Sequence, residues 1–205
     1  MKKIAVLASG GGTNFQALID GCRQGRIDGE IVLLIYNRKD AYAKNRAEQN
    51  KIPYKYINKI ASGGTEKMQR EVFDELSKSK ADIIVLAGYL EKLGKAVVEK
   101  WESRIINIHP SLIPMFCGEG YYGLKVHEAV IKKGVKSSGC TTHFVDSDYD
   151  TGPIIMQCHV AVDPEDTPES LAGKILVFEH ECLVESVALL CENRIKVVNG
   201  RVEII

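Results

Sequence analysis

Short apolar runs alternate with helical stretches along the first half of this chain, and this alternation constrains its fold more than any other feature. The predicted strands are Ile4–Leu7, Ile31–Tyr36, Tyr54–Ile57, Ile83–Ala87 and Ile105–Ile108. The predicted helices between them are Asn14–Cys22, Ala41–Gln49, Glu66–Ser77 and Lys95–Trp101. Strands joined by helices of this length form right-handed crossovers. The pattern therefore predicts an α/β fold with a doubly wound, mostly parallel sheet.

The pattern changes after Pro114, where antiparallel elements are expected. The predicted strands there are Cys140–Val145 and Ile154–Val162, followed near the end by a hairpin of Ile195–Val198 and Val202–Ile205. A long helix is predicted over Thr167–Cys191, because Thr, Pro and Glu in succession supply a capping hydroxyl, a first-turn proline and a first-turn acid. No repeat or linker divides the chain, so residues 1–205 are expected to form one domain with an antiparallel C-terminal extension.

Composition excludes several classes of function. Lys plus Arg number 27 and Asp plus Glu number 27, so no excess of positive charge points to nucleic acid. No run of apolar residues is long enough for a membrane span, and the run before Ser9 is too short for a signal peptide. A cytoplasmic protein is expected. The six cysteines are scattered and expected to be reduced, and the five histidines lack zinc-binding spacing, so no metal is expected.

The most informative chemical motif is Asn107-Ile108-His109-Pro110, at the end of the fifth predicted strand. Residues two apart on a strand face the same side, so the Asn107 amide and the His109 imidazole emerge together. An amide that can bind an oxyanion beside a base that titrates near neutrality suits carbonyl chemistry. Asp150 is a candidate for the carboxylate that orients the histidine. From the motif alone, an Asn and a His that only satisfy backbone groups remain an open alternative.

A second motif, Ser9-Gly10-Gly11-Gly12-Thr13-Asn14, lies between the first predicted strand and the first predicted helix. Glycines allow a ligand to approach the backbone, and the free amides of a helix N-terminus favour an anion such as phosphate. The motif does not match the dinucleotide fingerprint, because Phe15 stands where a small residue is needed. It also lacks the Gly-Lys-Ser/Thr ending of a P-loop. A purely structural turn stays open on this evidence.

The chain resembles the folate-dependent glycinamide ribonucleotide formyltransferases of purine biosynthesis. The resemblance rests on the two motifs above and on four further segments. These segments are Leu86-Ala87-Gly88-Tyr89-Leu90, Gly139-Cys140-Thr141-Thr142-His143-Phe144-Val145, Asp150-Thr151-Gly152-Pro153-Ile154-Ile155 and Asp166-Thr167. Asn-x-His with a later Asp is shared by a wider formyl-transfer superfamily, whereas the Ser-Gly-x-Gly-Thr-Asn turn points to a ribonucleotide phosphate.

The resemblance implies an enzyme that passes a formyl group from 10-formyltetrahydrofolate, its cosubstrate, to the glycinamide amine, without a metal. It implies a phosphate-binding half (residues 1–110) and a folate-binding, C-terminal half (residues 111–205), in a monomer or homodimer with small-molecule partners only. The implied catalytic residues are Asn107, His109 and Asp150, with His143 as a supporting residue. The implied ribonucleotide-binding residues are Gly12, Thr13, Asn14 and Glu179. The implied folate-binding residues are Leu90, Glu91, Lys92, Leu93, Asn107, Asp146 and Asp150.

Three departures from the family pattern accompany the resemblance. Many members carry Arg at the position of Glu91 and a basic residue near Thr65, and Cys117–Tyr122 replaces a more usual Pro-Gly loop. Two related enzymes are alternatives: formyltetrahydrofolate hydrolase and methionyl-tRNA formyltransferase. A non-enzymatic nucleotide-sensing module that uses only the glycine-rich turn is a third alternative. That module would not require Asn107, His109 and Asp150 together, so an activity assay separates it from the enzymes.

Overall fold

A computed structural model describes all residues, 1–205, and contains nine strands and seven helices. The first half consists of β1 (Lys2–Ala8), α1 (Thr13–Arg23), β2 (Gly29–Tyr36), α2 (Ala43–Gln49), β3 (Tyr54–Tyr56), α3 (Lys59–Ser62), α4 (Thr65–Ser79), β4 (Ile83–Leu86), α5 (Lys95–Lys100) and β5 (Ile105–His109). The second half consists of α6 (Leu124–Lys133), β6 (Ser137–Phe144), β7 (Ile154–Ala161), α7 (Pro168–Cys191), β8 (Ile195–Val198) and β9 (Arg201–Ile204).

Seven strands form one sheet in the order β3-β2-β1-β4-β5-β6-β7, and β8 and β9 form a separate antiparallel hairpin. Strands β1 to β5 are parallel to one another. Strand β6 runs antiparallel to both β5 and β7. The predicted doubly wound, mostly parallel sheet with an antiparallel extension is confirmed.

Each face of the sheet is covered by helices, because alternate residues of the central strands point to opposite sides. In β1, Ile4 and Val6 belong to one buried cluster and Ala5 and Leu7 to the other. The first cluster includes apolar residues of α1, α6 and α7, and the second includes those of α4 and α5. A buried side chain such as Phe15, with no exposed surface, contributes roughly 1.5–3 kcal/mol to folding.

Two helices are absent from the sequence prediction. Helix α3 is a single turn, begun by the Asn58 side chain, which accepts a hydrogen bond from the Ile60 amide. Helix α6 is flanked by Gly123 and Gly134, and its buried residues recur at helical spacing. The sequence contains that spacing, but a glycine-rich loop precedes α6 and obscures the residue at which the helix begins.

Helix α7 begins where the sequence predicts, and its cap explains why. The Thr167 side chain accepts a hydrogen bond from the Ser170 amide, and the Ser170 hydroxyl accepts one from the Thr167 amide. This reciprocal pair satisfies two amides at the helix start. No helix in the structure combines the length and apolar character that a membrane span requires.

The expectation that all six cysteines are reduced is wrong for one pair. A disulfide joins Cys158 on β7 to Cys182 on α7, while Cys22, Cys117, Cys140 and Cys191 are free. The two residues are 24 positions apart in sequence and meet only because α7 packs across the sheet beside β7. Sequence spacing alone could not show that contact.

Candidate active site

The side chains of the Asn107 motif lie at the carboxyl end of β5. Strand β5 pairs with β4 on one side and with β6 on the other, and the register places Asn107 beside Leu86 and opposite His143. Asn107 and His109 therefore emerge on the same side of the strand, at the edge where open α/β sheets bind their ligands. The register also shows why His143 belongs to the same cluster.

The Asn107 amide is held by two neighbours. Its Nδ2 lies 3.0 Å from His143 Nε2 and donates a longer hydrogen bond of 3.4 Å to Asp150 Oδ1. His143 Nδ1 lies 2.8 Å from the carbonyl oxygen of Phe144, which can only accept. His143 Nδ1 therefore carries a proton, and Nε2 faces both the Asn107 amide and, at 3.5 Å, Asp150 Oδ1. His143 thus sets the orientation of Asn107.

His109 is buried and is contacted on both ring nitrogens. Its Nε2 lies 2.9 Å from the carbonyl oxygen of Phe116 and therefore carries a proton, while Nδ1 lies 3.5 Å from Asp150 Oδ2. Burial lowers the pKa of His109, and the opposing effect of the Asp150 charge only partly offsets it. Burial outweighs the Asp150 charge, so His109 is mostly neutral near pH 7.

Asp150 joins these groups from the loop between β6 and β7. Its Oδ2 accepts a 2.9 Å hydrogen bond from the backbone amide of Gly118. Burial by itself raises the pKa of the Asp150 carboxyl, yet the contact with His143, the charge effect of His109 and the Gly118 amide together hold that pKa below its ordinary value. Asp150 is therefore a carboxylate at neutral pH. Its φ of 56° lies in the left-handed region, which Asp and Asn tolerate better than most residues.

The glycine-rich turn leads directly into α1. Gly12 is the residue before the helix, with φ of 70°, and no side chain caps the first turn. The amides of that turn therefore remain available to an anion. The turn is fixed from outside: Arg46 Nε donates to the Gly11 carbonyl at 2.9 Å, and the Ala43 amide donates to the Gly10 carbonyl at 3.1 Å.

Asn14 and Glu179 meet next to this turn. Asn14 Nδ2 donates a 2.7 Å hydrogen bond to Glu179 Oε2, which joins α1 to α7. Burial raises the pKa of Glu179, and the bond from Asn14 opposes the change. Both residues line a cavity of about 330 Å³ together with His127. Asn14 Oδ1 and His127 Nδ1 are buried there without a hydrogen-bond partner.

The segment predicted to meet folate begins at the carboxyl end of β4, the strand next to β5. The Leu90 amide donates to Ser9 Oγ at 2.9 Å, which fixes the chain as it leaves β4. Glu91, Lys92, Leu93 and Asp146 line a small cavity of about 80 Å³, which Asn107 and Asp150 also border. Asp146 is held by the hydroxyl of Thr151 at 2.7 Å.

A third cavity, of about 440 Å³, lies between the other two and is lined by Asn107, His109 and Asp150. It shares Gly88 and Ile108 with the cavity that holds Asn14 and Glu179. It also shares Tyr89, Tyr149, Asn107 and Asp150 with the small cavity beside Lys92. The three spaces form one cleft, with the polar cluster in its middle.

A known protein family matches most of this chain, including the cleft residues and the glycine-rich turn. Residues 2–187 match the family described as formyl transferase. The chain belongs to the formyl transferase family. The predicted family is thereby confirmed.

Curated relatives of this formyl transferase carry a more specific name. A chloroplastic phosphoribosylglycinamide formyltransferase from Arabidopsis thaliana is 44% identical over 95% of this chain and 67% of its own length. A phosphoribosylglycinamide formyltransferase from Haemophilus influenzae is 37% identical over 96% of this chain and 90% of its own length. The chain spans 62% of a similar chloroplastic protein from Vigna unguiculata, which is less than two thirds of that relative.

Solved structures agree on the fold. Glycinamide ribonucleotide transformylase 1 from Symbiobacterium toebii has a TM-score of 0.94 and 38% identity, covering 100% of this chain and 94% of its own. A formyltetrahydrofolate deformylase from Pseudomonas syringae has a TM-score of 0.90 and 26% identity, covering 100% of this chain and 66% of its own. The formyl transferase fold alone therefore does not separate transfer from hydrolysis.

Several residues of this formyl transferase site were not found from sequence. The Phe116 carbonyl and the Gly118 amide fix His109 and Asp150 through backbone atoms, which leave no trace in residue type. His127 is not among the predicted site residues, yet it borders the cavity of Asn14 and Glu179. Arg46, which anchors the glycine-rich turn, gave no signal beyond its place in a predicted helix.

Proposed function

We propose that this chain transfers the formyl group of 10-formyltetrahydrofolate to the amine of glycinamide ribonucleotide, yielding formylglycinamide ribonucleotide and tetrahydrofolate in purine biosynthesis. The observation that carries the proposal is the single cleft in which Asn107, His109 and Asp150 lie between two flanking cavities. Two substrates held end to end in such a cleft react as neighbours, which contributes to the rate without a covalent intermediate. The named relatives support the same activity.

The ribonucleotide is assigned to the cavity beside α1. Its phosphate is placed at the first-turn amides, with Gly12, Thr13 and Asn14 around it, since a helix N-terminus favours an anion. Its ribose hydroxyls are placed at Glu179, whose carboxylate is already oriented by Asn14. Positioned in this way, the glycinamide arm extends past Gly88 and Ile108 toward His109.

The folate is assigned to the small cavity bordered by Glu91, Lys92, Leu93 and Asp146, with Leu90 in the middle cavity beside it. A pterin read mainly by backbone groups tolerates Glu91 in place of the family's more usual arginine. Thr65 stands where many family members have a basic residue nearby, and Lys67 is the nearest cation to it in sequence. Neither residue borders any of the three cavities of the cleft. Lys92 does border this space and is paired with Asp148 at 3.7 Å, which places one cation near the folate entrance.

The chemistry begins when the glycinamide nitrogen attacks the formyl carbon and the carbonyl electrons move to oxygen. Asn107 donates to that oxyanion, exchanging its longer bond to Asp150 for one to the intermediate. The glycinamide nitrogen, now bonded to the formyl carbon, then carries a surplus proton. His109 is mostly neutral because burial lowers its pKa, so it can accept that proton and return it to the departing folate nitrogen.

Asp150 supports this proton transfer in two ways. Its carboxylate faces His109 Nδ1 at 3.5 Å and stabilises the imidazolium while that species carries the proton. It also fixes the loop at Gly118. No metal is assigned to the reaction, and a cytoplasmic protein in a monomeric or homodimeric form, with the two halves 1–110 and 111–205, remains a prediction.

Hydrolysis of formyltetrahydrofolate is the second candidate, because the deformylase from Pseudomonas syringae shares the fold. One assay separates the two. The protein is incubated with 10-formyltetrahydrofolate, with and without glycinamide ribonucleotide, and loss of the formyl group is followed. Turnover that requires the ribonucleotide supports transfer. Equal turnover in its absence supports hydrolysis, and no turnover in either arm contradicts both enzymes.

A further inference from the structure

Three cysteines meet in the core between the edge of the sheet and α7. This sulfur cluster consists of Cys140 on β6, Cys158 on β7 and Cys182 on α7. Cys140 and Cys158 are direct partners in the strand register, and all three Sγ atoms lie within 4.8 Å of one another. No other three side chains of Cys, His, Asp or Glu in the protein come together in this way.

The three members of the sulfur cluster differ in exposure. Cys140 has no exposed surface and Cys182 has 1%, so both sulfurs lie within the core. Cys158 is partly exposed, because β7 is the edge strand of the seven-stranded sheet. Cys158 is therefore the member of the cluster nearest to solvent. None of the three residues borders the cleft that holds Asn107, His109 and Asp150.

We propose that the reduced sulfur cluster is a binding site for a trivalent, thiol-seeking ion of the arsenic and antimony class. Three sulfurs this close supply the complete set of ligands for one three-coordinate ion. Soft sulfur ligands select soft ions over magnesium or calcium, which prefer oxygen. The site is independent of the proposed formyl transfer, because it shares no residue with the cleft.

Charge balance decides among the soft ions. Three thiolates and one trivalent ion sum to zero, which suits a site where two of the three sulfurs are buried and the carboxylate of Glu179 lies near Cys140. Zinc with the same ligands would leave one negative charge and lack the fourth ligand that its structural sites almost always have. Monovalent copper would leave two negative charges. An uncompensated charge at this depth is costly, so the neutral complex is favoured.

The binding step conserves atoms and charge. In water the trivalent ion is the neutral hydroxide As(OH)₃, and each of its three hydroxides leaves as water with one thiol proton while one As–S bond forms. The Cys158–Cys182 disulfide must first be reduced. A water-soluble phosphine does this: it is oxidised to the phosphine oxide with an oxygen from water, and both cysteines gain a proton.

The test uses the whole protein with arsenous acid as the probe. The protein is reduced with a phosphine, because a dithiol would itself bind arsenic. Native mass spectrometry then counts arsenic atoms, and thermal unfolding measures the shift in melting temperature that ligand binding to the folded state produces. We expect one arsenic atom and three lost protons per reduced chain, with a raised melting temperature. The unreduced protein should bind none.

Variants identify the ligands. Cys140→Ala leaves two sulfurs and should weaken binding by at least about a hundredfold, since loss of even an outer-shell partner costs up to that much. Cys158→Ser, at the partly exposed edge position, is the second variant in case the buried change prevents folding. Cys22→Ser and Cys117→Ser are the matched controls and should bind as the unchanged chain does, because neither residue belongs to the cluster.

Three outcomes would overturn the site. They are no arsenic on the reduced and folded protein, equal affinity in Cys140→Ala, and binding that is lost in Cys22→Ser or Cys117→Ser but kept in Cys140→Ala. The formyl-transfer assay is run in parallel on the same reduced sample without arsenic. Its result bears only on the proposed activity, so failure of one proposal is distinguishable from failure of the other.

Discussion

The middle of the cleft and the cavity beside α1 differ in whether their buried polar atoms have hydrogen-bond partners. In the middle, Asn107, His109 and Asp150 are held by one another, by His143 and by backbone atoms of the following loop. No polar side-chain atom among these four residues is buried without a partner. Beside α1, Asn14 Oδ1 and His127 Nδ1 are buried and unpaired.

This difference distinguishes the residues assigned to catalysis from those assigned to substrate recognition. Groups that stabilise a transition state gain from being fixed before the substrate arrives, because they need no reorganisation during the reaction. Groups that recognise a substrate must leave donors and acceptors free, and a buried polar atom without a partner costs free energy until a ligand satisfies it. The unpaired atoms beside α1 are thus consistent with a subsite that is completed by its ligand.

The largest effect is expected from Asp150→Asn, which should lower turnover by roughly a hundredfold or more, the scale of a general acid–base contribution. The change removes the charge that stabilises protonated His109 but keeps the shape, and Asn tolerates the left-handed backbone there. Single-turnover kinetics measure the rate, and NMR titration should show a further fall in the pKa of His109.

Asp74→Asn, an exposed change on α4, is the control for Asp150→Asn. It should leave both the rate and the histidine titration unchanged. A normal rate and an unmoved His109 pKa in Asp150→Asn would remove Asp150 from the mechanism. Ribonucleotide affinity should change little in this variant, since its assigned contacts lie beside α1.

Gly12→Val should weaken ribonucleotide binding strongly and folate binding little. A Cβ at Gly12 would lie 2.8 Å from Ala43 Cβ, and the φ of 70° disfavours a β-branched residue. The turn and α2 must then separate, with a loss of stability on the order of 1–3 kcal/mol. Calorimetry with each ligand on the folded variant measures the effect. Gly10→Ala, whose Cβ meets no atom within 4 Å, should weaken binding less.

An equal loss of both ligands in Gly12→Val would argue against the phosphate assignment. It would mean that separation of α2 disturbs the whole cleft. Thermal unfolding of both glycine variants distinguishes this outcome from simple instability.

Glu179→Gln should raise the KM for the ribonucleotide by roughly tenfold, since a hydrogen bond to a charged group contributes about 1.5–3 kcal/mol and the amide retains part of it. The KM for folate should not change. Glu185→Gln, an exposed change on the same helix, is the matched control. An unchanged ribonucleotide KM in Glu179→Gln would exclude Glu179 from the subsite.

The smallest effect concerns the stability of the free protein at low pH. Burial, with a smaller contribution from His109, lowers the pKa of His127 from 6.5 to about 4. The unfolded chain therefore binds a proton more readily than the folded protein, and stability is lost as pH falls from about 6.5 toward 4. The contribution is at most about 3 kcal/mol, since one pKa unit corresponds to about 1.4 kcal/mol.

His127→Gln should flatten this part of the stability profile, measured by urea unfolding at several pH values. His159→Gln, at an exposed position on β7, should leave the profile unchanged. If His127→Gln keeps the slope of the unchanged chain, His127 is not the group that titrates.

The sequence predicted the parallel sheet and the position of Asn107 well, because both depend on local patterns. Strand period and helix period are readable in a single chain, and residues two apart on β5 must share a face. The contacts that complete the site are of another kind. Phe116 and Gly118 act through backbone atoms, and Cys158 meets Cys182 only through packing of α7 across the sheet. The amino-acid types at these positions predict neither the backbone contacts nor the packing.

The hydrogen bond between Asn14 and Glu179 joins residues 165 positions apart. During synthesis, α1 leaves the ribosome long before α7 exists, so the cavity assigned to the ribonucleotide cannot close until α7 has been made. A chain released early would carry the glycine-rich turn and the Asn107 motif without the helix that covers them. Contacts this distant in sequence also slow folding, because a long loop must close, at a cost in entropy, before the contacts form and stabilise the fold. Competence to bind the ribonucleotide is therefore gained late, as a property of the finished chain.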